Sequence, residues 1–248
     1  AKNGFTNDKT PTLEGSVDSP LRAGDTVIVL RNGVEVGTAT VNGTAWSFTD
    51  NLTTDGTYTY TALIRSASGI DGAPSTSYQI GLDTTAPGVL SIDEVIDNVE
   101  FITGQISQGG YTNDTTPTVK GHGAEPDATV SLKDSNGNVL GTTTADANGN
   151  WVVEPAPGHE LIDGPHTLQV TQTDKAGNEG PAVTYDLNVD TQASLHSIRI
   201  TDVIDDVDPV PSSVLNNGYT KDTTPTVKGT ISATLDADEK VVVLRDGV

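Results

Sequence analysis

Apolar and β-branched residues come in short runs along this chain, and turn-forming residues cut the runs apart. Val27-Ile28-Val29-Leu30 ends at Asn32-Gly33, and Val139-Leu140-Gly141-Thr142-Thr143-Thr144 is bounded by Asn136-Gly137 before it and Asn148-Gly149 after it. Runs of that length between Gly, Asn, Asp and Pro clusters are the pattern of β-strands. Between residues 89 and 189 they predict strands over 89–92, 118–122, 129–133, 139–144, 151–153, 166–173 and 182–189. No segment sustains a 3.6-residue period between helix caps, so no helix beyond a stray turn is expected. Thr fills 37 of the 248 positions, which suits a pleated, half-buried surface. Asn-Gly or Asp-Gly pairs at 32–33, 136–137 and 246–247, with Asn42-Gly43 and Asn148-Gly149 marking the next turn, stand where hairpins would close. The expected fold class is all-β, with strands packed in two-layer sandwiches.

The pattern repeats. Gly110-Tyr111-Thr112-Asn113-Asp114-Thr115-Thr116-Pro117-Thr118-Val119-Lys120-Gly121 returns as residues 218–229 with a single change, Lys221 for Asn113, and more loosely as residues 4–15. The shared prolines, Pro11, Pro117 and Pro225, stand 106 and then 108 residues apart. That period is too long for a solenoid unit and matches a whole sandwich of about 100 residues. Other landmarks keep register: Trp46 with Trp151, Asp55-Gly56 with Asp163-Gly164, and Leu82-Asp83-Thr84 with Val189-Asp190-Thr191. Three domains are therefore expected end to end, over 1–87, 88–192 and 193–248. In this register the counterpart of Asp190 falls past Val248, so the third is expected to be the N-terminal part of a domain, completed by chain beyond that residue or by a neighbouring molecule.

Charge narrows the function. Asp and Glu number 34 against 13 Lys and Arg, a net charge of −21, and nucleic acid and anionic membrane surfaces carry the same sign. No apolar run approaches the roughly 18 residues that a spanning helix needs, so no membrane insertion is expected of this stretch. With no Cys there is no disulfide framework, and a bound cation is the alternative staple for small extracellular domains. Ile92-Asp93-Glu94-Val95-Ile96-Asp97-Asn98-Val99-Glu100, read as an acidic linker, is echoed by residues 200–208, and each stretch holds four carboxylates in nine residues. Four clustered carboxylates about 6 Å apart repel by on the order of 4 kcal/mol in water, a liability that Ca2+, which prefers flexible oxygen ligands, would remove. The alternative is that these carboxylates are spread over a solvated surface.

The Asp-Thr-Thr-Ala-Pro segment at 83–87, the Val-Ile-Asp-(Asn/Asp)-Val stretch, the Thr-Asn-Asp-Thr-Thr-Pro-Thr opening and the Thr-Asp-Lys-Ala-Gly-Asn loop at 173–178 together resemble the bacterial Ig-like repeats of giant surface adhesins and biofilm-associated proteins. The resemblance implies tandem immunoglobulin-like sandwiches in a stiff stalk at the bacterial cell surface, with calcium near domain junctions, neighbouring repeats as partners, and adhesion to a host or surface ligand elsewhere in the parent protein. In immunoglobulin topology Asp83 would face the pole carrying Glu125, Asp127, Asp174 and Asn178, and Asp190 would face Asp238 at the next junction. Asp97, Asn98, Asn113, Asp114 and Asp163 would gather at the opposite pole of the second domain, with Asp205 as the third-repeat counterpart of Asp97. The first repeat departs from this pattern, with Ser66-Ala67-Ser68-Gly69 replacing the Asp-bearing loop.

Other signals are weaker. Asp134-Ser135-Asn136-Gly137-Asn138 and Asp146-Ala147-Asn148-Gly149-Asn150 lack the sixth-position Gly and closing Glu of a calcium loop and read as hairpin turns. Trp46 and Trp151 share one repeat position, which favours the core over a sugar platform. The histidines, including the His159 and His166 pair, have no repeated partner, and no catalytic motif appears, so no enzyme is expected. A competing function is direct recognition of a glycan or host protein, for which Tyr58, Tyr60 and Tyr78 are the visible candidates.

Overall fold

A computed structural model describes residues 4–100, 103–207, 211–235 and 239–245. The chain divides into two units, Ala1–Asp190 and Thr191–Val248. Among the described residues every regular element is a strand, and no helix is long and apolar enough to cross a membrane.

The first unit holds two sandwiches. In the first, β1 (Phe5–Thr6), β2 (Thr12–Ser16), β3 (Thr26–Arg31), β4 (Val34–Thr38), β5 (Thr40–Asn42), β6 (Ala45–Thr49), β7 (Gly56–Arg65) and β8 (Tyr78–Leu82) form sheets in the orders β1-β8-β7-β3-β4 and β2-β6-β5. Asn32 and Gly33, both at positive φ (53° and 79°), close the β3–β4 hairpin as the sequence requires. In the second, β9 (Ser91–Asp97), β10 (Gly104–Gln105), β11 (Tyr111–Thr112), β12 (Thr118–His122), β13 (Thr129–Lys133), β14 (Val139–Thr144), β15 (Trp151–Val153), β16 (Gly164–Thr173) and β17 (Val183–Val189) give the orders β10-β9-β12-β15 and β11-β17-β16-β13-β14.

The strands expected over 118–122, 129–133, 139–144 and 151–153 have those limits, and the last two begin at 164 and 183. The expectation for 89–92 needs correction. The strand covers Ser91–Asp97, so most of the acidic "linker" is an inner strand of a sheet. Its charges mislead because they alternate with inward side chains: Val95 is wholly buried, Ile92 packs against the core, and Asp93 and Glu94 point outward.

The two cores differ in depth. Sixteen buried apolar residues close the second, among them Leu90, Val95 and Ile106 from the β9–β10 segment. In the first only Val27, Val29, Ala39 and Tyr60 form the buried cluster, with Trp46 and Phe48 half-buried against it. The reason is that β2 has a strand on one side only, whereas β12 lies between β9 and β15. Trp151 is accordingly 3% exposed, a core residue as expected. Trp46 is only half-buried.

The second unit carries β18 (Ile198–Asp205), β19 (Ser212–Ser213) and β20 (Thr226–Ile231) in one sheet of order β19-β18-β20. β20 pairs with β18 in the register that β12 keeps with β9: Lys228 faces Asp202 as Lys120 faces Glu94.

Candidate functional site at the first junction

The candidate site is the pole of the second sandwich that receives the chain leaving the first. The β16–β17 loop is built around Asp174. One carboxylate oxygen accepts the backbone N–H groups of Ala176, Gly177 and Asn178 (2.8, 2.8 and 2.9 Å), and the other accepts the Asn178 side-chain amide (2.9 Å). Burial raises the Asp174 pKa, but these bonds, led by that of the Asn178 side chain, outweigh it and hold the carboxyl below the ordinary aspartate value. Asp134 and Asp146 anchor their own Gly-Asn loops in the same way, each accepting from the backbone and side chain of the Asn four positions on. All three segments share the pattern Asp-x-x-Gly-Asn. The two read from sequence as turns and the one read as a calcium ligand set are one local structure, in which a carboxylate caps its own loop.

What distinguishes the third copy is its position. Asn178 turns its remaining amide hydrogen to the Asp83 carbonyl (2.9 Å), and the Asn7 N–H of the first sandwich donates to the Ala176 carbonyl (3.2 Å). Gln172 completes the joint: wholly buried, it accepts from Glu125 N–H and donates to the Gly88 carbonyl, both at 2.8 Å. The sequence reading missed Gln172. Its signal is phase, because it continues the inward series Leu168, Val170 in β16, so a polar residue stands where the alternation requires an apolar one.

Of the five side chains expected to share an ion here, Asn178 bonds the Asp174 carboxylate and the Asp83 backbone carbonyl, Asp127 and Asp83 bond elsewhere, and Glu125 offers its N–H to Gln172. Their oxygens are turned to protein donors: Asp83 accepts from Thr85 N–H (3.1 Å), and Asp127 pairs with Lys175 (2.8 Å). At the opposite pole Asp97 and Asp114 are both buried and joined through Thr112, whose hydroxyl donates to Asp97 (2.7 Å) and accepts from Asp114 N–H (3.0 Å). Asp114 also accepts from Asn98 N–H (2.9 Å) and Thr116 N–H (2.8 Å). Asn113 turns its amide to the Glu100 carbonyl instead (3.1 Å). Asp190 donates its backbone N–H to the Thr112 carbonyl (2.9 Å). In the second unit Asp205 repeats the role of Asp97, with Thr220 donating at 2.6 Å. Asp238 lies outside the described residues. Among the described residues no three of His, Cys, Asp and Glu converge as a metal site.

The tyrosines do not make an exposed patch. Tyr60 is buried and donates to Asp50 (2.7 Å), which Arg31 also binds (2.9 Å), and Tyr58 is half-buried under the Arg31 guanidinium. Of these three candidates Tyr78 alone is exposed.

A family model described as the bacterial Ig-like domain matches residues 1–84 and 90–191. No curated protein sequence matches the chain. Among solved structures, the fibronectin(III)-like modules of Clostridium thermocellum CbhA are 11% identical, with 76% of this chain and 88% of theirs covered and a TM-score of 0.46. A biofilm-associated protein BSP domain is 26% identical over 78% of this chain, with a TM-score of 0.28, and the chain spans 30% of that structure. A Ca2+-stabilized adhesin that helps an Antarctic bacterium bind ice is 19% identical, with 91% of this chain and 68% of its own covered, at a TM-score of 0.35.

Proposed function

Because the chain belongs to the bacterial Ig-like domain family, we propose that it is a spacer segment of a bacterial surface adhesin or biofilm-associated protein, one that holds a binding region away from the cell. The observation that carries this reading is the first junction, where Asn178 and Asn7 bond across between the two sandwiches at 2.9 and 3.2 Å while Gln172 fixes the start of the second at Gly88 (2.8 Å). Hydrogen bonds to main chain across the joint restrict the hinge between two sandwiches, and restricting that hinge is what a stalk needs. The partners are neighbouring repeats of the same protein, and the setting is extracellular. Family domains of this kind are scaffolds rather than catalysts.

Calcium at the junctions was the expectation from charge. The donors are of the right hard-oxygen type, but the carboxylates that meet at each pole are capped by N–H groups, hydroxyls or Lys175. An ion there would share these oxygens' remaining lone pairs with the donors already in place, and the protein's own bonds stiffen the joint in either case. The test is replacement of this segment in its parent protein by an unrelated pair of stiff sandwiches of equal length. Attachment should survive the exchange and fall on deletion. Binding of a glycan or host protein by this chain alone would overturn the reading.

A further inference from the structure

We infer that Asn42, in the β5–β6 hairpin of the first sandwich, is a site of spontaneous deamidation whose isoaspartate product breaks the register of that hairpin. The chain holds six Asn-Gly pairs. Asn3 lies outside the described residues, which leaves five turns to compare. An asparagine before glycine is open to attack by the glycine nitrogen, because a residue without Cβ neither shields that nitrogen nor resists the backbone rotation that brings it to the side-chain carbonyl carbon. Reaction needs a carboxamide free to turn and a glycine N–H that is not committed elsewhere.

Four of the five pairs fail one of these conditions. In the β3–β4 hairpin the Asn32 side-chain oxygen accepts Thr59 N–H from β7 (2.9 Å), which ties the carboxamide to the neighbouring strand. In the Asp-capped loops Gly137 N–H donates to the Asp134 carbonyl and Gly149 N–H to the Asp146 carbonyl, both at 3.0 Å. Gly218 N–H, which follows Asn217, donates to the Leu215 carbonyl (2.7 Å). Asn42 and Gly43 are both exposed, and among the described residues no hydrogen bond engages the Asn42 carboxamide or the Gly43 N–H.

The second sandwich supplies the contrast. Its turn before Trp151 is Asp146-Ala147-Asn148-Gly149-Asn150, in which the Asp146 carboxylate accepts the N–H groups of Asn148 and Asn150 (2.8 Å each) and Ala124 N–H donates to the Gly149 carbonyl (3.1 Å). The turn before Trp46 is shorter, Asn42-Gly43-Thr44-Ala45, and has no acid to cap it. It is held by the pairing of Asn42 with Ala45 and by Val17 N–H, which donates to the Thr44 carbonyl (2.8 Å).

In the reaction the Gly43 nitrogen attacks Asn42 Cγ. The new N–Cγ bond closes a succinimide ring, the Cγ–Nδ2 bond breaks, and the proton from the Gly43 nitrogen departs with Nδ2 as ammonia. Water then opens the ring at one of its two carbonyls. Opening at Cγ gives aspartate, and opening at the main-chain carbonyl gives isoaspartate, with nothing oxidised or reduced. Either product adds one negative charge to the net −21. Isoaspartate also lengthens the main chain by one carbon inside a tight hairpin, so the Asn42–Ala45 rung and the Thr44 bond to Val17 cannot both persist. Trp46, the next residue of β6, packs against the core of this sandwich and would be displaced with them.

The test is a time course of the full chain at mildly alkaline pH, below its melting midpoint, read by peptide mapping with mass-spectrometric fragmentation that separates isoaspartate from aspartate. Asn42 should convert about threefold to tenfold faster than Asn32, Asn136, Asn148 or Asn217, the factor expected when one hydrogen bond of ordinary net strength must first break. In the guanidinium-unfolded chain the five rates should converge, because the turns that separate them are gone. The purified isoaspartate form should melt below the parent, whereas Asn42→Asp, which adds the charge without lengthening the chain, should melt with it. Conversion of Asn42 no faster than the other four in the folded chain, the same lead in guanidinium, or an isoaspartate form that melts with the parent overturns the inference.

Discussion

Gln172→Leu keeps most of the buried volume of the side chain and removes both of its hydrogen bonds. The structure gives the perturbation directly: Glu125 N–H loses its acceptor at 2.8 Å and the Gly88 carbonyl loses its donor at 2.8 Å, at a site with no exposure to solvent. A stranded buried polar group costs about 1–3 kcal/mol. For two such groups the loss is about 2–6 kcal/mol, and the leucine recovers part of it by burying apolar surface at about 25 cal/mol per Å², which leaves a net loss of about 1–4 kcal/mol. For a unit of this size a kcal/mol moves the midpoint by about 2–4 °C, so the variant should melt roughly 2–16 °C below the parent. Thermal melting followed by circular dichroism measures the loss. Amide hydrogen exchange locates it, because Glu125 N–H should lose protection while the amides of β13 keep theirs. A midpoint within a degree of the parent, or an unchanged exchange rate at Glu125, would show that Gln172 is not the bond that closes this joint.

Gly121→Ala places a Cβ 1.9 Å from the Ser91 carbonyl and 2.2 Å from the Trp151 ring, whereas Gly15→Ala meets only the Trp46 ring, at 2.5 Å. The first should cost about 1–3 kcal/mol or more by pushing β9 away, the second less, and paired thermal melts compare them. Lowering pH should destabilise the protein. Asp134 and Asp146 are held below the ordinary value of 3.8, chiefly by their Asn138 and Asn150 partners, and Asp174 joins them. An acid whose folded pKa is depressed is stabilising above its unfolded value and loses that contribution as pH falls through the folded one, so the midpoint should be flat above about pH 5 and fall below about 3.8, as melts across pH 2–7 would show. Calcium against chelator should shift melting by less than about 1 °C if the junction bonds are as described, and a rise of several degrees would mean that the ion displaces Lys175 and the loop amides from these carboxylates.

The periodicity of Pro11, Pro117 and Pro225 and the runs around Val130, Val139 and Trp151 determined the fold class and most strands, because inward and outward positions alternate with a period of two that a single sequence displays. The same rule hid β9. Its buried residues, which include Asp97 itself, are interleaved with Asp93 and Glu94, and a strand covered by sheet on both edges but rich in acids reads as a linker until its neighbours are known. Of the residues expected to share an ion at the first junction, Asn178 bonds the Asp83 carbonyl and the Asp174 carboxylate, and Asp127 pairs with Lys175. What each does was decided by tertiary structure. Composition counts a carboxylate as a charge seeking a cation, and whether it instead faces an N–H group depends on backbone directions in the surrounding loop. Gln172 and Gly88 stand 84 residues apart, and the bond between them exists only because the fold brings the end of β16 back to the start of the second sandwich.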